Sequence, residues 1–394
     1  MALLFSRMKI GNLEIKNRFV HSATYECMAT AHGQVTDQMV KRYESLAKGE
    51  VGLIIPGYMF IQPSGRASGN QTGIHSDEMI PGLKRIAEAI HENGGKTVFQ
   101  LVHAGRSTTK AVCGETPMGP SGKDRDPVNF VKPREMNEED IQGVIRGFGG
   151  AAVRALEAGA DGVQIHGAHG FLVNQFLSPF FNKRKDAWGG SDENRFRFLK
   201  EVLLEIRKSV PEGTPILTKL NTNDHTPRQG ITPDLAKFYA EELAKLGIDA
   251  VEISSGAGLY SFMNTCRGQV PVDELVASVP MWQRPIARIM MNRLKGKYDL
   301  EEPYHLEAAK IIKPVLGETP LILVGGMRKV SRMEEVLQNK ETDFISMSRP
   351  FIREPYLVRK IKDGKTDKAS CVSCNKCFGS ITGEAPLKCY HKAS

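Results

Sequence analysis

The chain has 394 residues, 41% of them hydrophobic and 25% charged, with a formal net charge of +8. That is the profile of a folded protein with enough chain for a large core. No run of five like charges and no basic stripe with interleaved aromatics occurs, which argues against a nucleic-acid partner. No 18-residue apolar run occurs either, which argues against a membrane span. The first residues lack the basic-then-apolar order of a signal peptide, so a cytoplasmic location is expected.

The chain begins with Met8-Lys-Ile-Gly-Asn-Leu-Glu-Ile15, which reads as a hairpin turning at Gly11-Asn12 and suited to plugging one end of a barrel. Eight short apolar runs follow: Arg18–Ala23, Gly52–Gly57, Lys96–Leu101, Gly162–Gly167, Ile216–Asn221, Ala250–Ser255, Leu321–Gly326 and Phe344–Arg349. Most are continuously apolar instead of alternating, as in parallel strands buried on both faces. Amphipathic helical stretches lie between them. One is expected from Asn137 to Leu156, with Glu138, Glu139 and Asp140 early, where acids oppose the helix dipole. Another starts at Thr232, a cap followed by Pro233.

Strict alternation of strands and helices implies a parallel sheet with right-handed crossovers. Eight units favour an α/β fold of the closed (β/α)8 barrel type, with an open doubly wound sheet as the alternative. No G-x-G-x-x-G follows a strand, which counts against a dinucleotide-binding sheet. The expected division is a barrel over residues 1–365 and a short cysteine-rich extension over 366–394. Two long loops, from Val102 to about Met136 and from Gly256 to about Pro303, leave the C-terminal ends of strands, where barrels build their active sites.

Polar groups gather at those strand ends: Gln100, His166 with His169, Gly325-Gly326, and Ser348-Arg349, with Lys219 inside an apolar run. Each alone reads as an ordinary core or turn residue. Together they imply a site, because desolvating so many polar groups in one place is costly. Gly325 and Gly326 have no Cβ and let backbone N–H groups approach an anion. Ser348 and Arg349 add a hydroxyl and a guanidinium, as in a barrel phosphate site. His166 and His169 suit either one anionic oxygen or a metal. Lys219 suits a charged ligand edge or a Schiff base, so a non-redox lyase stays open.

The segment from His166-Gly-Ala-His169 to Gly189-Gly-Ser-Asp-Glu-Asn-Arg195 resembles the signature of the old yellow enzyme family. So do Lys16-Asn-Arg-Phe19, Gln100-Leu-Val-His-Ala-Gly-Arg106, Val324-Gly-Gly326 and Ser348-Arg349, and the likeness covers roughly residues 1 to 360. That family uses FMN and NAD(P)H to reduce activated alkenes, so a small electrophilic substrate is implied. The resemblance places Ala23, Thr24, Tyr25 and Gly57 against the flavin ring, and Gln100 and Lys219 at its pyrimidine edge. It places Gly325, Gly326, Ser348 and Arg349 at the FMN phosphate. His166 and His169 match the pair that hydrogen-bonds the substrate's oxygen, a form of charge stabilisation. A homo-oligomer is compatible with all of this.

Two departures stand out. Many members carry a proton-donating Tyr two residues after the second His, where this chain has Phe171. Tyr260, early in the loop after the sixth strand, is the expected substitute, with a packing role as the alternative. Tyr25 stands where the family usually has Thr or Cys. Four of the seven cysteines crowd at the end as Cys371-x2-Cys374-x2-Cys377-x11-Cys389. The pattern resembles the [4Fe–4S] site of the dienoyl-CoA reductase subgroup with one residue fewer between the second and third Cys. A cluster, a zinc ion and a tail of reduced thiols all remain open, as does an electron-transfer role centred on it.

Overall fold

The computed structural model describes residues 3–123, 125 and 131–391. The strands in chain order are β1 (Met8–Ile10), β2 (Leu13–Ile15), β3 (Phe19–His21), β4 (Leu53–Ile54), β5 (Met59–Phe60), β6 (Lys96–Val102), β7 (Met118–Gly119), β8 (Arg134–Glu135), β9 (Gly162–Gly167), β10 (Ile216–Asn221), β11 (Ala250–Ser254), β12 (Leu321–Val324) and β13 (Phe344–Met347). Strands β3, β4, β6, β9, β10, β11, β12 and β13 pair in that order, all parallel, and β13 closes back on β3. The result is the expected (β/α)8 barrel, not an open sheet. The second expected run is shorter than read, because only Leu53 and Ile54 make ladder bonds before the chain turns at Gly57.

A helix follows each of the eight barrel strands before the chain re-enters the barrel or ends. The one over Glu138–Glu157 is closed by a capping box, in which Asn137 accepts from Asp140 N–H and Asp140 accepts from Asn137 N–H. Thr232 caps Pro233–Lys245 by accepting from Leu235 N–H. The β1–β2 hairpin pairs Met8 with Ile15 and turns at Gly11, whose φ is 54°. Its Ile10 and Ile15 pack with Val20, Leu53, Val98, Leu217, Ile322 and Phe344, filling one end of the barrel. Apolar side chains occupy that end, so the polar strand residues are confined to the other.

The long loop after β11 contains a helix over Arg284–Asn292, whose Ile286 and Ile289 are exposed, as are the preceding Met281 and Trp282. The C-terminal segment is laced to the barrel. Ala369 N–H donates to Arg328 C=O, Leu387 N–H to Glu26 C=O, and the Asn375 amide to Cys266 C=O. Part of the loop after β6 lies outside the described residues. No helix among the described residues is long and apolar enough to cross a membrane.

Candidate active site

Parallel pairing brings the chemistry-bearing strand residues into one row. Lys219 on β10 is the register partner of His166 on β9 and of Glu252 on β11. All three are buried inside the barrel. The Lys219 ammonium lies 3.3 Å from the Glu252 carboxylate and donates to Ser22 Oγ at 2.8 Å. Glu252 also accepts from Ser22 and Ser346 hydroxyls at 2.8 Å and from the Gln164 amide at 2.9 Å. Such a carboxylate is tolerated in the core because its lone pairs are taken.

Above this row opens a cavity of about 400 Å³. Ala23, Thr24, Tyr25, His166, His169, Lys219, Tyr260, Gly325, Gly326, Ser348 and Arg349 all line it. That volume is in the range of sites that enclose a small organic ligand. Eleven expected contacts therefore border one cavity.

The two imidazoles stand edge to face, their centroids 5.0 Å apart. His169 takes a left-handed φ of 62°, which turns its ring back beside His166. His169 Nε2 is 2.7 Å from Ser254 Oγ, while buried His166 Nδ1 has no hydrogen-bond partner among the described residues. Burial holds both rings well below the ordinary histidine pKa, and the neighbouring Lys219 charge adds to the effect. Each is therefore a neutral ring with one N–H, suited to donating to an oxygen. Phe171 packs 5.0 Å from His166 and brings no proton.

At the far end, Gly325 and Gly326 have φ of 123° and 87°. A Cβ on Gly325 would meet His305 Nδ1 at 2.8 Å, and one on Gly326 would meet Glu301 C=O at 2.7 Å. Side chains are thus excluded twice over, by conformation and by space. Among the described residues neither N–H has a hydrogen-bond partner. His305 fixes the approach, its ring lying 2.7 Å from Val324 C=O and 2.8 Å from Ser255 Oγ. Ser348 accepts from Thr24 Oγ1 at 2.7 Å, and Arg349 is aimed by the Arg267 carbonyl and the Asn375 side chain. Free N–H groups, a hydroxyl and a fixed guanidinium make this end fit a phosphate.

Two expected contacts lie elsewhere. Gln100 donates to Gln164 at 2.6 Å, within the polar row and off the cavity wall. Gly57 donates to Glu26 at 2.8 Å, and a Cβ there would meet Thr24 C=O at 2.6 Å, so it backs the wall from behind. Tyr260 lines the cavity, but its ring packs on Phe180 and Phe181 at 5.0 and 5.7 Å. Sequence reading missed Tyr58 and Glu252. Glu252 was detectable by the same sign as Lys219, a charge within an apolar run. Tyr58 directly follows Gly57 at a strand end, and nothing else in the sequence marks it.

The four C-terminal cysteines all border one small cavity of about 20 Å³, with Arg349, Arg353 and Asn375. The guanidinium of Arg328 lies 3.8 Å from Cys371 Sγ and that of Arg353 lies 3.5 Å from Cys389 Sγ. Burial pushes the Cys377 thiol up to about 12. Among the described residues no three His, Cys, Asp or Glu are gathered closely enough to hold a single ion.

The chain matches the NADH:flavin oxidoreductase / NADH oxidase family over residues 3–273 and 262–368. The chain belongs to that family. It is 30% identical over 385 residues to a 4,4'-dithiodibutanoate disulfide reductase of Rhodococcus erythropolis, covering 96% of this chain and 93% of the relative. A 2-naphthoyl-CoA reductase solved with 2-naphthoyl-CoA superposes with a TM-score of 0.83 at 27% identity. That match covers 98% of this chain but 56% of the other, so this chain spans little more than half of that protein. An old yellow enzyme homologue from Zymomonas mobilis superposes with a TM-score of 0.72 at 25% identity, over 94% of this chain and 95% of the other. This NAD(P)H:flavin oxidoreductase therefore carries a site whose residues fit FMN, with an end that suits a phosphate, the Lys219–Glu252 ion pair at the barrel floor and an imidazole nitrogen without a partner among the described residues.

Proposed function

We propose that this flavoprotein reduces an electron-poor alkene conjugated to a carbonyl or nitro group, with NAD(P)H as the electron source. The observation that carries the reading is the neutral pair His166 and His169, side by side in the cavity, with His166 Nδ1 lacking a hydrogen-bond partner among the described residues. Gly325, Gly326, Ser348 and Arg349 would hold the FMN phosphate, Ala23, Thr24 and Tyr25 the ring, and Lys219 its pyrimidine edge. FMN, when bound, supplies the hydride. The imidazole N–H groups draw charge onto the substrate's oxygen and leave its β-carbon electrophilic.

The test is anaerobic. The FMN-loaded protein is reduced with NADH or NADPH and mixed with 2-cyclohexenone. Return of the oxidised flavin spectrum with formation of cyclohexanone supports the proposal. A spectrum that stays reduced contradicts it. A second acceptor class is favoured by the similarity to the disulfide reductase, and 4,4'-dithiodibutanoate in the same apparatus tests it.

The proposal extends to a [4Fe–4S] cluster on Cys371, Cys374, Cys377 and Cys389. Four thiols around one cavity support it, as do two guanidinium groups beside the sulfurs.

A further inference from the structure

We infer that Tyr58 is the acid that protonates the substrate's α-carbon, the task for which Phe171 has no proton. The inference rests on the alkene reading above.

Four tyrosines line the cavity: Tyr25, Tyr58, Tyr260 and Tyr304. The Tyr25 hydroxyl is engaged with Cys27 and Ser68, and the Tyr304 hydroxyl donates to Thr265 C=O at 3.2 Å. Tyr260 sits against Phe180 and Phe181, on the wall formed by the segment after His169. Tyr58 differs from all three. Its ring centroid lies 5.1 Å from Phe171 and 5.8 Å from His166, so it occupies the wall beside the oxygen-binding pair. Its hydroxyl has no hydrogen-bond partner among the described residues, and the residue is half-buried. Stacking on Tyr25 at 5.7 Å fixes the ring from its other side. A phenol held against both Phe171 and His166 restores, from another strand end, the hydroxyl that position 171 lacks.

The step balances as follows. The β-carbon gains a hydride, the C=C electron pair moves onto the α-carbon and the histidine-bound oxygen, and a new C–H bond forms at the α-carbon as the Tyr58 O–H bond breaks. The phenolate then takes a proton from water, which reaches it through the open cavity. Burial raises the Tyr58 pKa, so the group keeps its proton until a strongly basic carbanion-like centre is presented.

The test uses the FMN-loaded, NADH-reduced protein in stopped flow, as wild type, Tyr58→Phe and Tyr260→Phe. Removal of a general acid is worth about a hundredfold or more in rate. Tyr58→Phe is expected to slow reoxidation by 2-cyclohexenone by that factor. Reoxidation by ferricyanide, which needs no proton on carbon, and the binding of 4-hydroxybenzaldehyde are both expected to change less than twofold. Phe retains the stacking, so a structural role alone would not separate the two acceptors. Unchanged enone reoxidation in Tyr58→Phe, or the loss appearing in Tyr260→Phe instead, overturns the assignment. A wild type that the enone never reoxidises removes the alkene reading and Tyr58 with it, an outcome distinct from a fast Tyr58→Phe variant.

Discussion

Lys219 and Glu252 are register partners on neighbouring strands, and their charged atoms meet 3.3 Å apart inside the barrel. The cation at the floor of the cavity is therefore compensated, not free. An uncompensated cation stabilises a reduced, anionic flavin and raises its potential. Glu252→Gln keeps an acceptor oxygen for Ser22 and Ser346 but removes the negative charge. The midpoint potential of the bound flavin is expected to rise, by roughly 30 mV for each ~1.4 kcal/mol gained by the reduced state. Potentiometric titration of both proteins checks this, and an equal or lower potential in the variant contradicts it.

The oxygen clamp predicts that His166→Ala together with His169→Ala weakens 4-hydroxybenzaldehyde binding while leaving FMN in place. Two lost hydrogen bonds of about 1 kcal/mol or more each imply at least about a tenfold rise in Kd. Because both imidazoles are held neutral, wild-type affinity is expected to show no histidine titration between about pH 6 and 8. A titration of the ligand's absorbance band reads both effects.

Glu26 gives the pH prediction. Burial pushes its carboxyl up to about 7 from 4.5, against the pull of Gly57 N–H and Arg42. The folded state thus binds this proton more tightly than the unfolded chain does. Its contribution to stability is full below about pH 4.5 and is lost as pH rises to about 7. Glu26→Gln lacks that loss. The stability difference between variant and wild type is expected to grow by roughly 3 kcal/mol across this window in the variant's favour. Parallel denaturation curves at pH 4.5 and 8 contradict it.

Protein prepared without oxygen and supplied with iron and sulfide is expected to hold four irons per chain on the cysteine tail. Cys374→Ser is expected to abolish this. Iron content and a broad absorbance shoulder measure it, and iron-free protein after reconstitution excludes the cluster.

The barrel was legible because parallel strands buried on both faces leave uninterrupted apolar runs, and because Thr232-Pro233 and Asn137 are strong helix starts. The histidine pair and the Gly325-Gly326 end were legible because they sit close together in sequence. Tyr58 was not, since its contact with Phe171 spans 113 positions of chain. Glu252 was overlooked, though one charge in Ala250-Val-Glu-Ile-Ser254 carries the same message as Lys219 in the strand before it. Gln100 was placed at the ring from the family likeness, and its 2.6 Å bond to Gln164 shows a competing partner that no sequence pattern reveals.

The central claim is that the cavity at the C-terminal end of the barrel binds FMN through its phosphate. Titrating the flavin-stripped protein into FMN, with quenching of flavin fluorescence as the readout, tests it most directly. One FMN per chain is expected, bound at least tenfold more tightly than riboflavin, which lacks the phosphate, as loss of a charged hydrogen-bonding group implies by roughly 1.5–3 kcal/mol. Protein that comes out colourless and takes up neither flavin contradicts the account.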